Sequence, residues 1–369
     1  MRTDVDRGPE PPNGWDPLTN LAQELCQKVV GQPGAIRSII PYVEMFQAGL
    51  APAGRPVGVF LLLGPTGTGK TRTVEALAEV LHGSDRKLVK IDCAEFQMEH
   101  EVARLIGAPP GYLGHRETQP LITQKRLAAA TSERNGLSIV LFDEIEKAAP
   151  SLSQLLLGVL DKATLHLGDN TAVSFENSVV FLTSNLGARE MFRELRPDFG
   201  YHAALPAAGQ PVVSKLERIG LGALRRHFSP EFVNRIDAVV TYGPLSRESL
   251  EAILLQQVAD FQELIYQRLG AKGFELRLSP ESAGFLIAEG TCPEYGAREL
   301  KRVIHRHLIQ PVSARVARGE LPPASTVHVV VDTDGRSLKL VPRPGVEPIR
   351  AKKTAPATAR TQGRLRLTA

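Results

Sequence analysis

Cysteine is scarce in this chain of 369 residues. There are three, Cys26, Cys93 and Cys292, far apart and in no C-x-x-C pair. That spacing argues against a disulfide framework or a zinc ribbon, and it fits a reducing, cytoplasmic compartment. Long apolar runs are missing too. None approaches the roughly 18 residues that a membrane span needs, so no membrane is expected as a partner. The opening stretch, MRTDVDRGPEPPNGWDPLTN, has no apolar segment of the kind a secretory signal carries. Two tempting metal patterns fail. His100-Glu101 opens H-E-x-x-H, but Arg104 takes the place of the second histidine, so no zinc protease is indicated. His305 and His307 stand two apart on a helical stretch and point to different faces. No serine or cysteine peptidase constellation and no internal repeat is evident.

The remaining composition is that of an ordinary globular protein, 43% hydrophobic and 23% charged. The length suggests about two or three domains. The net charge of +4 hides an asymmetry. From Arg343 onward there are seven basic residues (Arg343, Arg350, Lys352, Lys353, Arg360, Arg364 and Arg366) and one acid, Glu347, so the tail carries +6 and the rest −2. The tail is rich in Pro, Ala and Thr and reads as disordered. A basic arm can touch nucleic acid, but no aromatic residue interleaves these charges, which favours a merely solvated terminus.

One stretch dominates the chemistry. GPTGTGKT, comprising Gly64, Pro65, Thr66, Gly67, Thr68, Gly69, Lys70 and Thr71, follows the apolar run Val57–Leu63 and precedes a helix-prone segment, 72–82. Strand, glycine loop and helix in that order, with G-x-x-x-x-G-K-T spacing, form a phosphate cradle. Backbone N–H groups turn inward, and the positive end of the helix faces the anion. Lys70 then reaches the terminal phosphates, and the Thr71 hydroxyl holds Mg²⁺. The expected ligands are therefore ATP and Mg²⁺.

Further apolar runs at 87–92, 138–142, 178–183 and 238–242 alternate with helical stretches. This pattern predicts an α/β fold, a five-stranded parallel sheet covered by helices on both faces. Helices are also expected at 21–29 and 35–48. From Pro244 the pattern changes. A long amphipathic helix (246–269), a short strand (274–278), helices at 280–289 and 297–319, and two strands flanking Asp334-Gly335 predict a smaller α+β domain. The expected organisation is a loose segment 1–20, a large domain 21–243, a small domain 244–342 and the tail 343–369.

The run VLFDE ends on Asp143 and Glu144. In a parallel sheet the strand C-termini line the ligand crevice. Asp143 is thereby placed to hold Mg²⁺ through water, and Glu144 to polarise an attacking water. Asn185 ends the next strand, where an amide can orient the same water. Arg235 in FSPEFVNRID and Arg298 in YGAREL are planar, permanent cations suited to phosphate, although isolated arginines are more often surface ion pairs.

Val29-Val30-Gly31-Gln32, GPTGTGKT, GAPPGYLG (107–114), VLFDEIEKA, FLTSNLGA, FSPEFVNRID and YGAREL occur in one order. Together they resemble the Clp-type AAA+ ATPases, best of all the second nucleotide-binding domain of the Clp disaggregases and unfoldases, over 21–341. The resemblance implies a three-layer αβα P-loop domain with a smaller C-terminal domain. Val29 and Val30 would pack near the adenine. Lys70 and Thr71 would contact phosphate and magnesium, Asp143 the magnesium water, and Glu144 would be the catalytic base. Asn185 would be the first sensor and Arg298 the second. Arg235 would be the finger that reaches a neighbouring subunit's site in a homohexameric ring. Tyr112, in the GYLG loop, would face the pore and grip an extended polypeptide.

Some segments depart from the family. Residues 161–169 stand where a glycine- and aspartate-rich second pore loop is usual. Ile219-Gly220-Leu221 resembles a peptidase-docking tripeptide but lies within an expected helix (214–227), so it reads as core and peptidase docking is not expected. Within these 369 residues no counterpart of the family's first ATPase domain, coiled-coil insertion or N-terminal substrate domain is expected. The expected activity is ATP-driven unfolding or remodelling of protein. A nucleic-acid motor or loader using the basic tail and a nucleotide-gated assembly scaffold remain as alternatives.

Overall fold

A computed structural model of the chain describes residues 21–107, 120–132, 135–195, 210–291 and 296–343. The expectations for the segment 1–20, for most of the GYLG loop with Tyr112, for Cys292 and for the tail beyond Arg343 lie outside the described residues.

Helices α1 (Leu21–Lys28) and α2 (Pro33–Gln47) lead into β1 (Gly58–Leu63) and α3 (Lys70–His82). Next come β2 (Val89–Asp92), α4 (Glu99–Ile106), α5 (Gln124–Ala129), β3 (Ser138–Asp143) and α6 (Pro150–Lys162). A short pair, β4 (Thr164–His166) and β5 (Ala172–Ser174), precedes β6 (Ser178–Ser184). Helices α7 (Ala188–Leu195), α8 (Gln210–His227) and α9 (Pro230–Val233) then lead to β7 (Ala238–Thr241). The last part holds α10 (Arg247–Leu269), β8 (Glu275–Leu278), α11 (Pro280–Gly290), α12 (Ala297–Ile304), α13 (Gln310–Ala317), β9 (Thr326–Val331) and β10 (Leu338–Arg343). Each expected strand and helix has a counterpart among the described residues, several with shifted ends, except that the helix expected at 297–319 is interrupted.

The main sheet has the order β2-β3-β6-β1-β7, and every neighbouring pair is parallel. Its central strands are apolar throughout because both faces are covered. On β1, Val59 and Leu61 join one core while Phe60 and Leu62 join the other. The same alternation holds for Val140 and Phe142 against Ile139 and Leu141 on β3. One core is closed by residues of α4, α5, α6, α8 and α9, the other by α1, α2 and α3. These are the three layers of the expected αβα fold.

The altered segment 161–169 is more regular than its sequence suggests. Ala163 takes a left-handed conformation at the end of α6, and the chain enters the antiparallel pair β4–β5. Leu165, Val173 and Phe175 point into the core. Strands of three residues are too short for an alternation to be read from sequence. The tripeptide Ile219-Gly220-Leu221 lies inside α8. A Cβ at Gly220 would sit 2.6 Å from Leu63 Cδ2, so this glycine permits close packing against β1.

The chain divides into two compact units. One comprises the residues up to Gln257 together with Leu286–Arg306; the other comprises Val258–Phe285 and the residues from His307 on. The second unit carries a sheet of order β10-β9-β8, with β9–β10 antiparallel and β8–β9 parallel. Gln262 fixes the start of this sheet by donating to Phe274 O at 2.8 Å and accepting from Leu276 N at 2.6 Å. The expected single helix 297–319 is broken by a π turn over His305–Ile309. Pro311, at the start of α13, has no N–H to give to the preceding turn, and the wider turn accommodates it. No helix among the described residues is long and apolar enough to cross a membrane.

The last residue of α3, His82, is 6% exposed. Its Nδ1 lies 3.3 Å from Ser132 Oγ, and its Nε2 is buried without a hydrogen-bond partner among the described residues. Burial, aided by the Lys87 charge, pushes its pKa down to about 4 from 6.5. A histidine with a depressed folded pKa contributes its stability above the unfolded pKa and loses it as pH falls toward the folded value. Denaturant titrations are therefore expected to show up to about 2 kcal/mol less stability at pH 5 than at pH 7.5 from this residue. In His82→Leu that pH-dependent loss should shrink by the same amount; an unchanged pH profile in the variant refutes the assignment.

Candidate nucleotide site

The phosphate loop is fixed from three sides. Gly64 N donates to Ser184 O at 3.1 Å, joining the loop to the end of β6. Gly64 has φ +148°, and a Cβ there would sit 2.5 Å from Tyr242 O, so only glycine fits. The Tyr242 hydroxyl is buried and donates to Thr73 Oγ1 at 2.8 Å. Gln32, in the turn between α1 and α2, is buried and donates to Thr68 O at 3.2 Å and Gly243 O at 3.1 Å.

Lys70 is 8% exposed. Its ammonium donates to Gly64 O at 2.7 Å, Pro65 O at 2.8 Å and Asn185 Oδ1 at 2.9 Å. Burial lowers its pKa to about 8, and the neighbouring carboxylates of Glu146, Asp143 and Glu144 oppose that shift. The cation thus stands at the mouth of a loop whose geometry suits phosphate.

Asp143 ends β3 opposite this loop. Thr71 donates to Asp143 Oδ1 at 3.3 Å, Thr183 donates to the same oxygen, and Lys90 lies 3.3 Å from Oδ2. A hydroxyl and a carboxylate facing each other are hard oxygen donors. They fit magnesium, which takes few protein ligands and completes its shell with water and phosphate. No group of three or more His, Cys, Asp or Glu suited to a metal occurs among the described residues.

Glu144 adopts a left-handed backbone (φ 57°), uncommon for a residue other than glycine and costly to hold. Its N–H donates to Thr183 Oγ1 at 2.9 Å, so one threonine hydroxyl fixes both acids at the end of β3. The Glu144 carboxylate pairs with Lys147 and accepts from Asn185 Nδ2 at 3.3 Å. Glu146 Oε1 accepts from Asn185 N at 2.9 Å and from Asn185 Nδ2 at 3.3 Å.

The structure therefore brings together Gly64–Thr71, Asp143, Glu144 and Asn185. Arg298 joins them. Ala297 N donates to Gly67 O at 3.0 Å, and Gly296 (φ +50°) approaches so closely that a Cβ would sit 2.8 Å from the same oxygen. The Arg298 charge contributes to lowering the Lys70 pKa. Val29 is buried in the core of α1 and α2, and Val30 is half-buried. Arg235 is not part of this group. It pairs with Glu231 at 3.0 Å and Asp161 at 3.5 Å. Asp237, two residues on, pairs with Arg55 and accepts from Val59 N at 2.8 Å, tying this turn to the start of β1. Leu121 N and Ile122 N both donate to Leu105 O, and Gly168 N donates to Ile106 O at 2.9 Å.

Sequence reasoning overlooked Gln32, Lys90, Thr183, Glu146 and Lys147 as members of the site. Gln32, Thr183, Glu146 and Lys147 stand inside the quoted motifs VVGQ, FLTSN and DEIEKA, and the signal was their adjacency to the named residues.

Comparison with known proteins agrees with this geometry. Residues 55–239 match the family described as AAA domain (Cdc48 subfamily), and residues 245–329 match the C-terminal, D2-small domain of ClpB protein. Chaperone protein ClpB of Meiothermus ruber is 40% identical over 327 residues, 89% of this chain and 35% of that protein. ClpB of Corynebacterium diphtheriae is 39% identical over 321 residues, 87% of this chain and 34% of that protein. The chain thus spans about a third of the length of these relatives. A closed-state cryo-EM reconstruction of Hsp104 with ATPγS and FITC casein matches with a TM-score of 0.73 and 29% identity, over 88% of this chain and 51% of that one. The extended Saccharomyces cerevisiae Hsp104:casein complex matches with a TM-score of 0.73 and 28% identity, over 87% of this chain and 52% of that one. A phosphate loop facing two strand-end acids, in a chain matched to both the AAA domain and the ClpB small domain, leads to one conclusion: the chain belongs to the Clp-type AAA+ ATPases.

Proposed function

We propose that this chain hydrolyses ATP with Mg²⁺ at the boundary between subunits of a homohexameric ring, and uses the cycle to unfold or remodel polypeptide drawn through the pore. The observation that carries the reading is the convergence of Lys70, Thr71, Asp143, Glu144 and Asn185 on the edge of the sheet. The likeness to Hsp104 structures solved with casein supports a polypeptide substrate. The widely spaced cysteines support action in the cytoplasm.

In this reading the loop amides and Lys70 bind the phosphates, and Val29 and Val30 border the adenine. Thr71 and Asp143 would hold the magnesium, which would supply charge neutralisation of the phosphates. Glu144 takes a proton from water as its oxygen attacks the γ-phosphorus, the bond to the β–γ bridging oxygen breaks and ADP leaves, and Asn185 orients that water. Arg298 reports nucleotide to the small domain, whose boundary we place at 243/244. Arg235 reaches the site of the neighbouring subunit. Tyr112 grips substrate through apolar ring contact, which tolerates varied side chains and can be released each cycle.

Glu144→Gln is expected to retain ATP binding and ring assembly while phosphate release falls at least about 100-fold. Undiminished phosphate release in that variant removes Glu144 from the base role, and full biological activity in the inert ring supports the scaffold alternative. Mixing two inactive variants tests the shared site. In rings made from equal parts Arg235→Ala and Glu144→Gln, about a quarter of sites pair an intact Glu144 with an intact neighbouring Arg235, so ATPase activity should reappear. Activity that stays absent in rings shown to be mixed places Arg235 elsewhere. Tyr112→Ala should keep ATP turnover within about threefold and lose unfolding of a tagged fluorescent protein; unchanged unfolding counts against a pore-facing Tyr112.

A further inference from the structure

Three acids lie within four residues at the end of β3, and only two have work in the scheme above. Asp143 faces Thr71, Thr183 and Lys90; Glu144 faces Lys147 and Asn185. The third, Glu146, points back to the end of β6. Its Oε1 accepts both from the main-chain N–H of Asn185 at 2.9 Å and from the Asn185 side-chain amide at 3.3 Å. Its Oε2 is buried and makes no hydrogen bond among the described residues. An acceptor buried without a donor is costly, so Glu146 is not placed there for stability alone.

The consequence falls on Asn185. An amide has one accepting end and one donating end, and its neighbours decide which way it faces. On one side stand Lys70 Nζ at 2.9 Å and Thr66 Oγ1 at 3.3 Å, both donors, so Oδ1 faces them. On the other side stand the Glu144 and Glu146 carboxylates, acceptors only, so Nδ2 faces them. Glu144 is the base and is also paired with Lys147, so its hold on Asn185 is shared. Glu146 alone grips both the backbone and the side chain of Asn185. Holding a group at two points fixes its direction in a way one contact does not.

We infer that Glu146 is a positioning residue for hydrolysis, a two-point clamp that sets the orientation of the Asn185 amide and thereby the alignment of the water that Glu144 activates. The inference rests on the role proposed for Asn185 and adds a residue to it. A clamp of this kind changes turnover and leaves ground-state nucleotide binding alone, because Lys70 and the loop amides keep their own contacts. The competing role is electrostatic. Glu146 is the leading carboxylate acting on the Lys70 charge, and a residue whose function was to tune Lys70 would change nucleotide affinity instead.

The test is a double-mutant cycle on the assembled ring, read by steady-state ATPase and by the Kd of a fluorescent ADP analogue. Glu146→Gln keeps one acceptor but loses the charge-assisted bonds, and should lower kcat about 3–10-fold; Glu146→Ala removes both grips and should lower it about 10–100-fold. KM for ATP and the Kd should stay within about twofold in both. In the Asn185→Ala background, neither change should alter kcat by more than about twofold, because the clamp has nothing left to hold. Should the alanine variant not assemble, the glutamine variant carries the cycle alone. Four results overturn the inference: an undiminished effect in the Asn185→Ala background, no effect of the substitution on kcat in the wild-type background, a Kd that weakens in step with kcat, or wild-type turnover by Asn185→Ala itself. The last overturns the role of Asn185 as well, whereas the first three leave that role standing.

Discussion

Strand register is the constraint on which this site depends. In the main sheet, Leu63 of β1 stands beside Ser184 of β6, Phe142 of β3 beside Leu182 of β6, and Asp92 of β2 beside Asp143 of β3. Four parallel strands therefore end nearly level. The phosphate loop leaves from one, the two acids from the next but one, and Asn185 from the strand between them. Side chains that reach only a few ångströms can then converge. Parallel register is held by apolar faces on both sides of the sheet, and a slip of one residue would exchange the two cores. The chemistry at the edge is therefore secured by the packing of Val59, Phe60, Val140, Leu141, Val180 and Phe181 well inside the molecule.

Much of this arrangement was legible in the sequence. The strands announce themselves as continuous apolar runs, and the loop, the acid pair and Asn185 each stand at the end of one. What was hidden had a common cause. Gln32, Thr183 and Glu146 act through hydrogen bonds to parts of the chain remote in sequence, and a single polar residue within a motif carries no periodic signal that tells its partner. The β4–β5 pair escaped because its strands are shorter than one full alternation. The π turn before Pro311 follows from a missing donor in a helix otherwise well patterned, so the helix was readable and its irregularity was not.

Charge balance explains why these polar residues are there at all. Lys70 is almost fully buried, and a buried ammonium is tolerable only when its donors are filled and acids stand near. Two loop carbonyls and Asn185 fill its donors, and three carboxylates supply the opposing charge. The carboxylates in turn need donors, which Thr71, Thr183, Lys90, Lys147 and Asn185 provide. Among the described residues Glu146 Oε2 is the buried atom of this network left without a hydrogen bond, and the backbone is strained at Glu144, which is left-handed. Stability would be better served by a glycine at that position and a donor beside Glu146. Both departures sit next to the proposed water position, where such costs are expected when geometry matters more than stability.

Arg235 completes the argument by where it is not. Among the described residues, the arginine charge that acts on Lys70 alongside the acids is that of Arg298. A second arginine in the same pocket would repel both cations and depress the Lys70 charge further. Arg235 instead pairs with Glu231 and Asp161 of its own chain, while Asp237 and Arg55 anchor the turn that carries it to the start of β1. The Arg235 side chain is half-buried, and its Nη1 is buried without a hydrogen bond of good geometry among the described residues, so the two acids orient the guanidinium without satisfying it. A phosphate carrying several charges outcompetes such partners readily. An arginine held outside its own phosphate site by acids of its own chain supports the role proposed for it above, in which it meets a nucleotide bound by a neighbouring subunit.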